Sequence, residues 1–260
     1  MFLRSSANQL ALVRNPMNAK ETGLLKSATL VSSLTMLSRV LGFIRDMAIA
    51  YFLGSGFKAD IFFVAFRIPN LFRRLYAEGS LSLPYMPELG KGHALGNHDS
   101  FSRLASNLGG LTCTFYFGLT LLGVTTAPVI VSLLAPGFVG SGAKWQLTVS
   151  LTRWLFPYVF CIGAAGFVMA ILNTHEHFGA PAAAPSLLNL CMLGMLGLGS
   201  YFSLAPEWSL TWGVVLGGFL QLAFQWHWAR RLVVRWRPSR WWRAPETQAV
   251  LKLLVPTVLG

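Results

Sequence analysis

Three arginines of this 260-residue sequence stand inside long apolar stretches without a carboxylate at helical spacing: Arg39, Arg45 and Arg73. A charge at the centre of a bilayer costs at least ~2.5–3.5 kcal/mol, so an ionisable residue there indicates function by default. Guanidinium groups bind phosphate oxygens bidentately and stay charged at physiological pH. The three arginines are therefore candidates for an anion site that suits a diphosphate. Structural pairing with residues of other helices is an equally weighted alternative.

The second apolar stretch carries its charges in a stripe. Asp60, Arg67, Arg74 and Glu78 follow one another at spacings of seven, seven and four residues. Such spacings put side chains on one helical face, where Arg74 and Glu78 are predicted to pair at i,i+4. Arg73 lies about 100° away from this stripe and has no carboxylate three or four residues distant.

The first apolar stretch has one acidic residue, Asp46. It is seven residues from Arg39, roughly 10 Å along a helix axis, which is too far for a direct local bridge. Arg45 also lacks acidic neighbours at three or four residues. We therefore expect the partners of both arginines to come from other helices, from water or from a bound anion.

Long apolar runs separated by short polar breaks account for the composition, which is 54% hydrophobic and only 12% charged. Runs of about 20 apolar residues are typical of membrane-spanning helices. The fold predicted is all-α: a polytopic membrane protein with about six transmembrane helices in one lobe and the start of a seventh. The predicted spans are 25–54, 60–89, 103–134, 146–173, 181–204 and 209–228, with the partial one at 247–260.

Basic residues favour one orientation of these spans. With the N-terminus in the cytoplasm, most loop lysines and arginines, including six arginines between positions 230 and 243, lie on the cytoplasmic face. The net charge of +12 then indicates membrane topology and lipid headgroups and no nucleic-acid partner. The domains expected are a cytoplasmic extension (1–24), a six-helix lobe (25–229), a basic linker (230–246) and the start of a truncated second lobe (247–260).

Several motifs resemble the MviN/MurJ family. SRVLGFIRD (38–46) and FLGSGFKADIFFVAFRIPNLFRRLYAEGSLSLPYMPEL (52–89) match its amino-terminal signature, and LAPGF (134–138) and ILNTHEHFGAPAAAPSLLN (171–189) continue the likeness. The resemblance implies a lipid II flippase of the bacterial cytoplasmic membrane, whose partners are membrane lipids and an undecaprenyl-diphosphate-linked disaccharide-pentapeptide. Matched position by position, it implies substrate-binding roles for five residues: Arg39, Arg45, Arg73, Asp46 and Asp60. Secondary candidates for the same site are Arg74, Glu78 and Ser38.

The resemblance also implies a second lobe that supplies a further cavity arginine, a sodium site and a groove for the lipid tail. Only the first lobe and the start of its successor are expected here. A lone lobe has no opposing half to rock against, so alternating access is expected to require the missing carboxy-terminal lobe.

Two other functions remain open. A membrane enzyme acting on polyprenyl phosphates would share the arginines but needs a nucleophile, a base or a metal. The histidines are predicted bystanders in loops, and the HEH of 175–177 sets its imidazoles on different faces of a helix, which argues against zinc. The resembled family is part of the multidrug/oligosaccharidyl-lipid/polysaccharide exporter superfamily, and another exporter of that superfamily would need an acidic cavity if it carried cations. No nucleotide-binding fingerprint appears, and no cofactor or metal is expected.

Overall fold

A computed structural model describes residues 16–232 and 241–259, and most side chains from Leu25 onward. Three predicted regions fall partly outside the described residues: positions 1–15 of the amino-terminal extension, positions 233–240 of the basic linker and position 260 of the partial last span. All regular elements of the described part are helices, so the all-α fold class is confirmed.

Nine α-helices follow one another along the described chain. They are α1 (Pro16–Leu53), α2 (Phe57–Ala77), α3 (Met86–Ala94), α4 (His98–Leu134), α5 (Ala143–Leu155), α6 (Pro157–Thr174), α7 (Gly179–Tyr201), α8 (Pro206–Ala229) and α9 (Pro245–Leu259). Short 3₁₀ turns occur at Leu83–Tyr85, Pro136–Phe138 and Trp241–Arg243. Counting α5 with α6, six long helical segments precede α9, which agrees with the number predicted.

By length and composition, three of the described segments are apolar enough to cross a membrane: His98–Leu134, Ala143–Thr174 and Gly179–Tyr201. The other long helices are more polar. Helix α2, for example, carries Asp60 and Arg67 as well as Arg73 and Arg74 within its 21 residues. Membrane helices keep such residues when they face the interior of a bundle or a water-filled cavity.

Helix α6 forms the centre of the lobe. Fourteen of its eighteen residues are buried, as expected for a helix that is apolar all round. It packs against α4, α8 and α2. Small residues allow this close packing: a Cβ added at Gly163 would lie 2.3 Å from the ring of Tyr116.

The second predicted span, 60–89, is too long. Helix α2 ends at Ala77, and Gly79, with a φ of +79°, begins a turn that leads into the 3₁₀ turn and α3. Pro84 and Pro87 do not lie inside a span but in the first turn of these new elements, where the missing N–H needs no partner. The segment 90–102, between the second and third predicted spans, is likewise helical up to Ala94 and again from position 98.

Proline also divides the fourth predicted span. Pro157 has no N–H to offer the carbonyl of Arg153, so the helix is interrupted at Phe156 between α5 and α6. The first span shows the opposite behaviour. Gly42 permits a bend or a break there, but α1 continues through it without interruption.

Helix α1 lies at one side of the lobe. It packs mainly against α7 and only slightly against α2 and α8. Large side chains on its remaining surface are exposed, including Met36, Phe43 and Tyr51. The space between α1, α7 and the end of α2 is consequently open, and it is there that the arginines meet.

Substitution of Gly213 by alanine is expected to destabilise the lobe. A Cβ at this position of α8 would lie 2.8 Å from the backbone Cα of Met192 in α7, and backbone cannot move aside as a flexible side chain can. The matched control is Gly197→Ala in α7, where a Cβ would meet nothing within 4 Å. Thermal unfolding of the purified protein should show a lower Tm for Gly213→Ala only. Equal Tm values would contradict the tight α7–α8 contact.

Candidate anion-binding site

A cavity of about 670 Å³ lies between α1, the carboxy-terminal end of α2, the end of α6 and the first half of α7. Arg39, Arg45 and Arg73 all line it. Three other predicted candidates line it too: Ser38, Asp46 and Glu78. Residues from two helices that have little contact with each other thus meet around one space.

Arg45 is the buried member of the set. Only 6% of this residue is exposed. Its Nη1 donates to Oδ1 of Asn189 in α7 at 2.7 Å, and its Nε and Nη2 both donate to Oδ1 of Asp46 at 3.0 and 2.7 Å. The Nδ2 of Asn189 donates in turn to the backbone carbonyl of Ser38 at 3.0 Å. Asn189 therefore connects α7 to α1 at two points.

The prediction that Arg45 has no counter-ion within its own helix is wrong. Asp46, the next residue, forms an ion pair with it at 2.7 Å. Adjacent residues point about 100° apart on a helix, but the long guanidinium side chain turns back to reach the carboxylate. The Asp46 side chain is 65% exposed, so water in the cavity also reaches this carboxylate.

Arg73 and Arg39 differ from Arg45 in their partners. Arg73, which is half-buried, donates from Nε to Oδ1 of Asn70 at 2.9 Å, and this amide carries no charge. Neither Arg73 nor Arg39 forms an ion pair with a described carboxylate. Arg39 is exposed to the cavity. The guanidinium groups of Arg39 and Arg73 therefore have no described carboxylate within ion-pair distance.

Asp60 lies elsewhere. It belongs to the first turn of α2, thirteen residues from Arg73, which corresponds to ~20 Å along the helix. Its carboxylate accepts from Nζ of Lys144 at 3.0 Å, and that ammonium also lies 4.0 Å from the ring centre of Phe138. The structure thus gives Asp60 a contact between α2 and α5, far from the arginine cavity.

Arg74 is also outside the lining of the cavity. The predicted ion pair between Arg74 and Glu78 is absent, since both side chains are described and neither forms one. Both residues are exposed, and an exposed pair gains at most ~1 kcal/mol, against the entropy of fixing two long side chains. Glu78 instead caps α2, where its N–H donates to the carbonyl of Arg74.

The charges that line the cavity favour an anion. Three arginines face two carboxylates, Asp46 and Glu78, so the lining has a net charge of +1 from three minus two. Asp46 and Arg45 offset each other, while the other two arginines remain available. An anion with several oxygens can accept from more than one guanidinium, which is the geometry that favours diphosphate over a single carboxylate.

The histidines lie at one end of the lobe. The rings of His93 and His175 are 4.5 Å apart, and both pack against Phe101. His175 also contacts the carbonyl of Ile171 through Nδ1 at 2.9 Å. Burial, with the charges of neighbouring histidines, lowers the pKa of His175. These contacts join α3, α4 and the end of α6, and none of these histidines lines the arginine cavity.

Asn189 is not among the site residues predicted from the sequence. A signal for it exists, because Asn189 is an amide within the apolar segment PSLLNLCML. Polar side chains inside membrane helices are expected to hydrogen-bond across helices. The partner could not be read from the sequence, since 144 positions separate Asn189 from Arg45.

Comparison with known proteins gives a consistent result. The family profile described as lipid II flippase MurJ matches residues 49–260. A probable lipid II flippase MurJ of Buchnera aphidicola subsp. Acyrthosiphon pisum is 32% identical over 91% of this chain and 46% of its own length. The lipid II flippase MurJ of Burkholderia cenocepacia is 33% identical over 91% of this chain and 47% of its own.

Among solved structures, a lipid II flippase MurJ in an inward closed conformation superposes with a TM-score of 0.73. It is 22% identical and aligns over 89% of this chain and 47% of its own length, which establishes the likeness of fold. The chain spans about half the length of the curated relatives it matches.

Replacement of Asn189 by leucine is expected to lower the free energy of unfolding by ~1–3 kcal/mol, because it leaves a buried Arg45 nitrogen without its acceptor. The comparison is Leu190→Ala, which changes the next residue, 50% exposed, and is expected to alter stability by less than ~0.5 kcal/mol. Denaturation of the purified variants measures both. Equal stability of Asn189→Leu and the parent would show that the Asn189 bridge contributes nothing.

Proposed function

We propose that this chain, which belongs to the lipid II flippase MurJ family, forms the amino-terminal lobe of a flippase for lipid II. Its substrate would be the undecaprenyl-diphosphate-linked disaccharide-pentapeptide, bound through the diphosphate by Arg39, Arg45 and Arg73. The protein would act as a transporter and not as an enzyme on polyprenyl phosphates. The observation that carries the proposal is the convergence of these three arginines from α1 and α2 on one cavity.

The contacts of the arginines suggest how the diphosphate would be held. Arg39 and Arg73 have no carboxylate partner among the described residues, so they can bind phosphate oxygens without breaking an ion pair. Arg45 is kept in place from behind by Asn189. Its other nitrogens face Asp46, whose carboxylate is largely exposed and can be released to water when phosphate takes its place. Guanidinium nitrogens would thus exchange one anion for another.

Release of the substrate requires that the diphosphate is not bound too tightly by the arginines. Binding that is too tight would hold the diphosphate in one state, whereas Asp46 competes for Arg45 and weakens its hold. We assign to Asp46, and more weakly to Ser38 and Glu78, this competing or lining role at the cavity. Asp60 and Arg74 are not proposed as substrate contacts, because both lie outside the cavity lining.

Alternating access is the proposed mode of transport. In this mode a central site opens to either face as one lobe rocks against another. The proposed organisation is a cytoplasmic extension (1–24), a six-helix lobe (25–229), a basic linker (230–246) and the beginning of a second lobe (247–260). The cavity is bounded by α1 and α7 of the first lobe, and the second lobe would close its open side.

The N-terminus is proposed to lie in the cytoplasm. The turn before α4 then faces the cytoplasm, and the turn between α4 and α5 faces the periplasm. Bacterial inner-membrane proteins concentrate lysine and arginine on the cytoplasmic side, which supports this orientation.

Substitution of the cavity arginines tests the proposed function. A full-length version, as long as the relatives, is expressed in cells depleted of their own flippase. Arg39, Arg45 and Arg73 are each changed to alanine and to lysine. We expect loss of growth for the alanine variants and impairment for lysine, which keeps the charge but loses the bidentate fork. Arg67→Ala is the control, since Arg67 is exposed on α2 away from the cavity.

The same variants are tested for binding. Loss of one charge-assisted contact, worth ~1.5–3 kcal/mol, should weaken diphosphate binding by about tenfold or more. Protein level in the membrane shows that each variant is made. Growth of all six cavity variants at the parental rate would refute the diphosphate site.

Labelling of single cysteines tests the orientation. After Cys113, Cys161 and Cys191 are replaced by serine, cysteine is introduced by Ser141→Cys or Leu95→Cys, both at exposed positions. A membrane-impermeant maleimide should label the variant at position 141 in intact spheroplasts, and the variant at position 95 only after lysis. The reverse pattern would place the N-terminus outside.

A further inference from the structure

A second groove, which the proposed function does not use, lies next to the arginine cavity. It runs between α1, α8 and the turn from α6 to α7, and its volume is about 380 Å³. Small-molecule sites in proteins commonly measure about 300–1,000 Å³. Its walls are mainly apolar and include Leu30, Leu34, Ala180, Phe224 and Trp228.

The groove and the arginine cavity adjoin each other. Val31 of α1 and Phe178 line both of them. Phe178 follows a sharp turn in which the N–H of His177 donates to the carbonyl of Leu172 at 2.8 Å, and Glu176 has a φ of +61°. This bond pattern closes the end of α6, and Phe178, directly after it, lines both spaces.

The two spaces differ in charge. The cavity is lined by three arginines, whereas no arginine or lysine is among the described residues that line the groove. Glu176, which lines the groove beside His177, would repel a phosphate there. The groove accordingly favours a hydrocarbon chain, and the neighbouring cavity favours the anionic group attached to it.

We infer that the groove holds the isoprene units nearest the diphosphate while the diphosphate is bound by the arginines. This inference rests on the proposed function, because that function supplies the prenyl diphosphate. The resemblance implies a tail groove in the second lobe, and the inference adds a contact for the chain in the first. Binding would then depend on the prenyl chain as well as on the diphosphate.

The test compares three probes on this chain, purified in detergent: inorganic diphosphate, geranylgeranyl diphosphate and geranylgeraniol. Geranylgeranyl diphosphate should bind at least about tenfold more tightly than inorganic diphosphate, since several buried methylenes add to the affinity. Leu34→Trp, which fills the groove from α1, should remove this gain and leave the affinity for inorganic diphosphate unchanged. Ala180→Phe fills the groove from the opposite wall and should have the same effect as Leu34→Trp. Agreement of the two variants shows that the loss does not come from a local effect of one substitution.

Leu121→Trp is the matched control, because Leu121 is 55% exposed on α4 and lines neither space. It should keep the full gain. Equal affinities for the two diphosphates, or equal losses in Leu34→Trp and Leu121→Trp, would overturn the inference. Displacement of geranylgeranyl diphosphate by phosphatidylglycerol would also overturn the inference, because the groove would then be a general phospholipid site.

Failure of the proposed function has a different outcome. In that case inorganic diphosphate would bind the parent and Arg73→Ala equally, whatever the groove variants do. If the binding of inorganic diphosphate depends on Arg73 but the prenyl chain does not raise the affinity, the anion site stands and the groove assignment alone is wrong.

Discussion

The hydrogen bonds of the Arg45 guanidinium determine much of the architecture around the cavity. A buried charge must be paired and hydrogen-bonded, because transfer of an isolated ion into the protein interior is prohibitively costly. Arg45 meets this requirement through Asp46 on one side and Asn189 on the other. Since Asn189 belongs to α7, the pairing ties α1 to α7, which is the main helix against which α1 packs.

That arrangement explains how a cavity persists beside α1. With α1 fixed to α7, its face toward the end of α2 stays separate and the space between them remains open to water. Arg39 and Arg73 project into this space without a carboxylate of their own. Water can solvate them there, and an anion that replaces the water meets two charges in a setting of reduced dielectric, where attraction is stronger than in bulk solvent.

The cavity arginines could be predicted from the sequence because a membrane imposes a simple rule. A charge inside an apolar span is costly unless it has a partner or a function, and this criterion alone selects Arg39, Arg45 and Arg73. The all-α fold and the number of long segments follow from the same apolar pattern. These features depend on local composition, which a single sequence records in full.

The errors arise where tertiary contacts decide. Spacing rules treat partners at three and four residues, so they miss Asp46, which pairs with Arg45 from the adjacent position. The contact of Asp60 is likewise not readable from spacing, because its partner Lys144 lies 84 residues away. The end of α2 is misplaced because the sequence does not distinguish prolines that begin new helical turns from prolines within a span.

Helix α1 carries both parts of the proposed binding surface on one face. Val31, Thr35, Ser38, Gly42 and Arg45 follow at spacings of four, three, four and three, which places them along a single stripe. Over the fourteen residue steps from Val31 to Arg45, ~21 Å of helix, the lining changes from an aliphatic side chain through hydroxyls and a glycine to a guanidinium group. An amphiphile aligned with this stripe would meet hydrocarbon at one end and positive charge at the other. The direction of its binding would therefore follow α1, with Arg73 of α2 adding positive charge at one end and α7 and α8 completing the walls.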